Sequence, residues 1–165
     1  MASSETARQE HMRAASERTP RLGRAWLALA AALALHVTDE ALTGFLNVWN
    51  PTVAGIHARW PWLPLPTFRF DVWLAGLVAL VILLFVLTPM FFRAGGFMRV
   101  PAYAFAMLMI GNGAGHIVGT MVGHTVPEVT FARPAPGFYS SPFLIAAAVW
   151  AIVELMRTRN PGRFT

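Results

Sequence analysis

Polar segments separate four apolar stretches along the chain, at 25–49, 72–92, 100–122 and 142–156. The first three match the ~20 residues that a helix needs to cross a bilayer, and the fourth is the shortest. The second carries almost nothing polar before Thr88-Pro89. This pattern predicts an all-α polytopic membrane protein, a four-transmembrane-helix bundle occupying 21–157. Residues 1–20 are polar and mixed in charge through Glu5, Arg8, Glu10, Arg13, Glu17 and Arg18, and read as a disordered or surface-lying cytoplasmic tail. Residues 158–165 read as a second cytoplasmic tail. A signal peptide is the alternative for the first stretch, with Arg21 and Arg24 as its basic region. The long preceding tail, and the return of apolar residues after Glu40 (Ala41, Leu42, Phe45, Leu46), favour a span.

The connections are equally patterned. Residues 50–70 hold four Pro and two Trp, Trp60 and Trp62. Pro interrupts regular structure and Trp favours the headgroup level, so this segment reads as an interfacial loop over the bundle mouth. Asp71 is placed to cap the second helix. Ser141-Pro142 is placed to open the fourth, with Ser as cap and Pro in the first helical position.

Two helices break the apolar rule. His36, Asp39, Glu40, Thr43 and Asn47 fall on one stripe of the first stretch, because positions three and four apart share a helix face. Ionisable groups within a membrane are expensive and mark functional sites by default. The third stretch carries Gly111, Gly115, Gly119 and Gly123 at every fourth position, beside Asn112, His116, Thr120 and His124. A small-xxx-small track allows close helix approach, here of the first helix onto the third, and offers a face for a homo-oligomer.

Depth links the two stripes. Measured from Arg24 and Arg99 at about 1.5 Å per residue, His36 lies ~18 Å along its helix and Asn112 ~20 Å. On the same scale Glu40 lies at ~24 Å and His116 at ~25 Å, so both stripes predict one site in the outer half of the membrane. Tyr139, Ser140 and Ser141 can reach it from the mouth of the fourth helix, and His124 and Glu128 from the end of the third. Glu154, one turn from Arg157, reads as an inner-end pair outside the site. His57 reads as a solvated loop residue.

Charge supplies orientation. All thirteen basic residues are Arg, and the net charge is +5. Arg8, Arg13, Arg18, Arg21, Arg24, Arg93, Arg99, Arg157, Arg159 and Arg163 fall on one side of a four-span arrangement, against Arg59, Arg69 and Arg133 on the other. The positive-inside rule puts both termini in the cytoplasm, in the plasma (inner) membrane. Charge gathered this way reflects topology rather than nucleic-acid binding, and no nucleotide loop or haem-attachment motif is present. The absence of Cys excludes disulfides, thiolate metal sites and cysteine nucleophiles.

The string His36-Val37-Thr38-Asp39-Glu40 resembles the signature of the HXXEE-motif integral membrane proteins, with Asp39 standing where that family has its first Glu. Asn112-Gly113-Ala114-Gly115-His116 resembles the family's second motif, an Asn and a His four apart on a later helix. Tyr139-Ser140-Ser141-Pro142 resembles its Tyr-Ser-Pro-Gly-like segment, in altered order and without the Gly. The resemblance covers roughly 27–153. It implies a small helical membrane fold and the position of a site, and hands over no reaction.

Three chemistries suit these residues. His36, Glu40 and His116, with His124 as a further ligand, could hold zinc or iron in a metal-dependent hydrolase or lipid-modifying enzyme. Asp39 would then act as base or orienting acceptor, and Asn112 or Tyr139 would stabilise an oxyanion. The substrate would be a membrane lipid or a hydrophobic small molecule. Alternatively, the same groups form a proton or ion relay, or a structural or ligand-binding polar network that docks the first helix on the third.

Overall fold

A computed structural model describes the backbone of residues 2–92 and 98–159, and the side chains of 20–92 and 98–157. The described chain is helical, with no strand. In order, the elements are α1 (Ala2–Thr43), α2 (Leu46–Arg59), α3 (Phe70–Phe92), α4 (Arg99–Val122) and α5 (Ser141–Arg159).

The first apolar stretch is two helices, not one. Gly44 takes a left-handed conformation at φ 78°, and the Phe45 N–H donates back to the Glu40 carbonyl at 3.0 Å. That six-to-one bond across an αL glycine is a Schellman stop, and a single Gly within an apolar run does not reveal it. Asn47 therefore leaves the stripe and lies on α2. The expected loop at 50–70 is half helix, because α2 continues through Pro51 to Arg59. The remainder is pinned to α2: Trp49 Nε1 donates to the Pro66 carbonyl at 3.0 Å, and the Asn50 amide bonds both backbone groups of Phe68.

The backbone of the N-terminal segment is helical, since α1 starts at Ala2 and carries Pro20 within it. The expected C-terminal tail begins inside α5 at 158–159, and 160–165 lie outside the described residues. So does Arg93, one of the residues used to orient the chain. The two predicted caps shift slightly. The Trp73 N–H bonds the Arg69 carbonyl, so Asp71 stands in the first turn of α3, paired with Arg69. The Leu144 N–H bonds the Ser140 carbonyl, which makes Ser140 rather than Ser141 the capping position of α5.

Among the described residues, three helices are long and apolar enough to cross a membrane: Pro20–Thr43, Phe70–Phe92 and Arg99–Val122. They are compatible with an integral membrane protein. α5, with Glu154 and Arg157 near its end, is not among them. Half of the apolar window in α1 is buried, against 11% in α3 and 17% in α4, so α1 is the central helix. It packs against α3 on one side and α5 on another, and α5 in turn packs against α4.

The core lies along the N-terminal half of the α1 span. Leu22, Trp26, Leu29 and Leu33 meet Leu84 and Phe91 of α3 and Leu144 and Leu155 of α5. Trp26 stacks on Phe91 with centroids 4.0 Å apart and donates its indole N–H to the Leu84 carbonyl at 3.0 Å. Ala102 and Ala106 of α4 and Ala148 and Ala151 of α5 are buried small residues that let backbones approach.

The glycine track does not join α1 to α4. Those helices make no extended backbone approach, because α5 lies between them. The glycine that mediates close packing is Gly113: a Cβ there would meet Ile145 Cγ1 at 2.8 Å and the Ser141 carbonyl oxygen at 3.1 Å. A Cβ on Gly111 or Gly115 would meet nothing within 4 Å, and Gly123 ends α4 in a left-handed cap. Gly113→Val should therefore lower stability by about 1–3 kcal/mol through overpacking. Gly115→Ala should be neutral or raise stability by up to about 1 kcal/mol through helix propensity. Unfolding in detergent followed by circular dichroism tests this pair, and equal losses would refute the assignment.

Candidate functional site

Where α1 ends, the apolar core gives way to a buried polar cluster. The 3.6-residue period places His36 and Glu40 one turn apart on the buried face, and both are almost wholly enclosed, at 0% and 4% exposure. α4 brings His116 to the same point. Glu40 Oε1 lies 3.1 Å from His116 Nε2 and 3.5 Å from His36 Nε2. The two imidazoles meet edge to face, with centroids 4.9 Å apart. Asn112, one turn before His116, places Oδ1 2.9 Å from His116 Nε2. The meeting of Glu40 with His116 is the one expected from depth along the two helices.

The turn before α5 closes the cluster. Ser140 donates its backbone N–H and its hydroxyl to Asp39 Oδ2, at 2.9 and 2.7 Å. The same hydroxyl oxygen lies 2.8 Å from His36 Nδ1. A serine has one hydroxyl proton, and the carboxylate takes it, so His36 must donate Nδ1–H to Ser140. This fixes the tautomer: His36 Nε2 keeps its lone pair and points it towards Glu40 and His116. Among the described residues, His36 Nε2 is the buried side-chain nitrogen or oxygen left without a hydrogen-bond partner. A lone pair 3.5 Å from a carboxylate oxygen in an enclosed space requires a cation, whether a proton or a metal. Asp39, Ser140 and His36 do not form a nucleophilic triad, because the hydroxyl stands between carboxylate and imidazole and is itself buried.

Gly137 sets the distance from this turn to the cluster. Its φ is 80°, and a Cβ there would lie 2.9 Å from His116 Cε1 and 3.1 Å from Glu40 Cγ. Its N–H reaches Thr43 Oγ1 at 3.2 Å, and its carbonyl accepts the Ser141 hydroxyl at 2.7 Å. Thr120 Oγ1 holds the adjoining strand of loop through the Ala135 N–H at 2.9 Å.

The structure thus brings together His36, Asp39, Glu40, Asn112 and His116, with Ser140, which was expected to reach the site, as the link between α1 and α5. Gly137 was not among the expected site residues; its signal was the Pro136-Gly137 turn pair. Tyr139 does not join them. It is exposed and lines a separate, more polar cavity with Thr43 and Asn47, since the Ser140 turn directs its ring outward. His124 lies past the end of α4, exposed, in an isolated bridge with Thr130. Glu128 pairs with Arg59 at 2.5 Å, His57 bonds the Leu63 carbonyl, and Glu154 pairs with Arg157 at 2.7 Å. None of these reaches the cluster.

The donor set fits a metal. One ligand atom from each of His36, Glu40 and His116 lies within 4.8 Å of the others. Metal–nitrogen and metal–oxygen bonds of about 2.0–2.1 Å in tetrahedral geometry separate neighbouring ligand atoms by about 3.3–3.4 Å. The two observed contacts to Glu40, 3.1 and 3.5 Å, bracket that spacing. His116 Nε2 faces two acceptors in the present arrangement, Asn112 Oδ1 and Glu40 Oε1, and ligation of a metal there would use the tautomer protonated at Nδ1.

No family model, curated protein or solved structure matches the chain.

Ser140→Ala should lower stability by about 1–3 kcal/mol, because it strips a donor from half-buried Asp39 and leaves the buried His36 Nδ1–H unpaired. Tyr139→Phe should leave stability unchanged. Thermal unfolding of the two variants in detergent measures the difference, and an innocuous Ser140→Ala would break the proposed order of hydrogen bonds.

Proposed function

We propose that the chain is an integral membrane metalloprotein in which His36, Glu40 and His116 hold a zinc or iron ion, and that it hydrolyses or otherwise modifies a lipid or hydrophobic molecule. The observation that carries this reading is the buried, unpartnered Nε2 of His36, aimed at a carboxylate and a second imidazole. Two imidazoles and one carboxylate form a three-ligand set that leaves a position open, as catalytic zinc and non-haem iron sites require. Bound there, the ion would polarise a carbonyl or lower the pKa of a water towards neutrality. Asp39 and Ser140 act on His36 as positioning residues, holding its ring and tautomer. Asn112 sits beside the same open edge and supplies an amide for orienting a polar substrate atom.

In this reading α5 is a fourth span, both termini are cytoplasmic by the Arg distribution, and the membrane is the plasma membrane. The order of the His36–Glu40, Asn112–His116 and Tyr139–Pro142 motifs supports placing the chain among the HXXEE-motif membrane proteins. The unbroken run of polar contacts from Asp39 through Ser140, His36 and Glu40 to His116 and Asn112 supports a second reading. In it the same groups form a helix-docking network or proton path, with an imidazolium at His36 in place of the metal.

Elemental analysis of detergent-purified protein separates the two. Near-stoichiometric zinc or iron is expected in the native chain, lost in His36→Ala, Glu40→Ala and His116→Ala while each remains monodisperse and helical. A metal-free native chain after repletion would eliminate the metalloprotein reading and leave the polar network.

A further inference from the structure

Gly111 and Gly115 occupy an exposed stripe of α4 with Leu108 and Val118, at positions three and four apart. Glycine within a helix costs about 0.5–1 kcal/mol relative to alanine, so its presence calls for a reason. Close packing is not the reason, because nothing lies within 4 Å of where either Cβ would be. Both glycines instead line a cavity of about 270 Å³, together with Gly119. The opposite wall comes from Val48, Trp49 and Thr52 of α2, and Phe131 and Ala135 close one side. Asn112 and His116 form its polar edge.

We infer that this glycine-floored slot binds the hydrocarbon chain of a lipid, with the lipid's polar end held at His116 and Asn112. The inference rests on the proposed function and names its substrate class. Two features select a chain over another occupant. The stripe that carries the glycines lies within α4, Arg99–Val122, which is long and apolar enough to cross a membrane, so in the proposed reading the slot faces hydrocarbon. Its walls are mostly apolar: the hydroxyls of Thr52 and Thr125 pair with each other, which leaves Asn112 and His116 as the polar edge, and this suits an amphipath. The glycines are thus absent side chains that keep the slot open, where the spacing alone suggested helix pairing.

Photolabelling tests this directly. Native protein in detergent is irradiated with a long-chain fatty acid bearing a terminal diazirine, and the labelled peptides are mapped by mass spectrometry. Adducts should concentrate in 48–52 and 131–136 and be competed by unlabelled fatty acid. Gly115→Leu fills the slot without backbone strain and should reduce those adducts roughly tenfold, a difference of about 1.4 kcal/mol in binding. Gly76→Leu is the control: it too has nothing within 4 Å of its Cβ, but it lies on α3, away from the slot. It should leave labelling intact.

Uniform labelling over the exposed faces of α3 and α4, or labelling unchanged by Gly115→Leu, would overturn the inference. So would efficient disulfide dimerisation of Gly115→Cys, in a chain otherwise free of cysteine, because a second copy would then cover the track. Metal content measured on the same samples keeps the two readings apart. Slot-specific labelling of a metal-free protein would overturn the metal site alone. A metal-loaded protein with uniform labelling would overturn the slot alone.

Discussion

The upper part of the bundle, where α1 ends, depends on one buried carboxylate held between two imidazoles. Glu40 is 4% exposed, and it cannot be left alone in apolar surroundings. Its contact with His116 ties α1 to α4, two helices whose backbones are otherwise kept apart by α5. His36 carries the constraint onward to Ser140, and Ser140 to Asp39, so the first turn of α5 is held by two residues of α1. The leucine and alanine core packs the other end of the helices and does not align these three elements here. Removing one charged partner from such a set typically costs about 3–5 kcal/mol, more than most single apolar contacts in the core contribute.

That constraint explains why part of the site was legible from the sequence. Positions 36 and 40, and 112 and 116, are each one helical turn apart, and helix geometry alone puts each pair on one face. Depth along two parallel helices then matched Glu40 with His116, and they meet at 3.1 Å. Tyr139 and His124 show where the reasoning stopped. Both lie outside helices, where spacing carries no direction, and the turn through Gly137 aims Ser140 inward and Tyr139 outward. The break at Gly44 was hidden for a related reason. An apolar average over twenty residues is insensitive to one glycine, although that glycine's left-handed conformation ends the helix and sends Asn47 elsewhere.

The glycines of α4 show the limit of periodic patterns. Gly111, Gly113, Gly115 and Gly119 lie on neighbouring faces of one helix, yet Gly113 abuts α5 while Gly111 and Gly115 border open space. Periodicity identifies which residues share a face. It does not identify what stands opposite, and a track spaced for helix pairing is here one wall of a cavity. Its partner across that cavity is α2, an element that exists only because Gly44 stops α1.

The cluster and the cavity together give the two histidines unequal roles. His36 is wholly enclosed, and its Nδ1 is committed to Ser140. His116 and Asn112 border the cavity. A ligand lying on the glycine floor therefore meets His116 first, on the side where Asn112 offers its amide. His36 and Glu40 form the fixed base of the centre, and His116 forms its accessible edge. Rigidity at His36 is supplied by α1 and the turn before α5, elements that the cavity does not line except through Ala135 and Pro136. In the proposed reading, a ligand on the glycine floor occupies the side of the cluster away from the hydrogen bonds that hold His36, so the fixed part of the site and its accessible edge are separate.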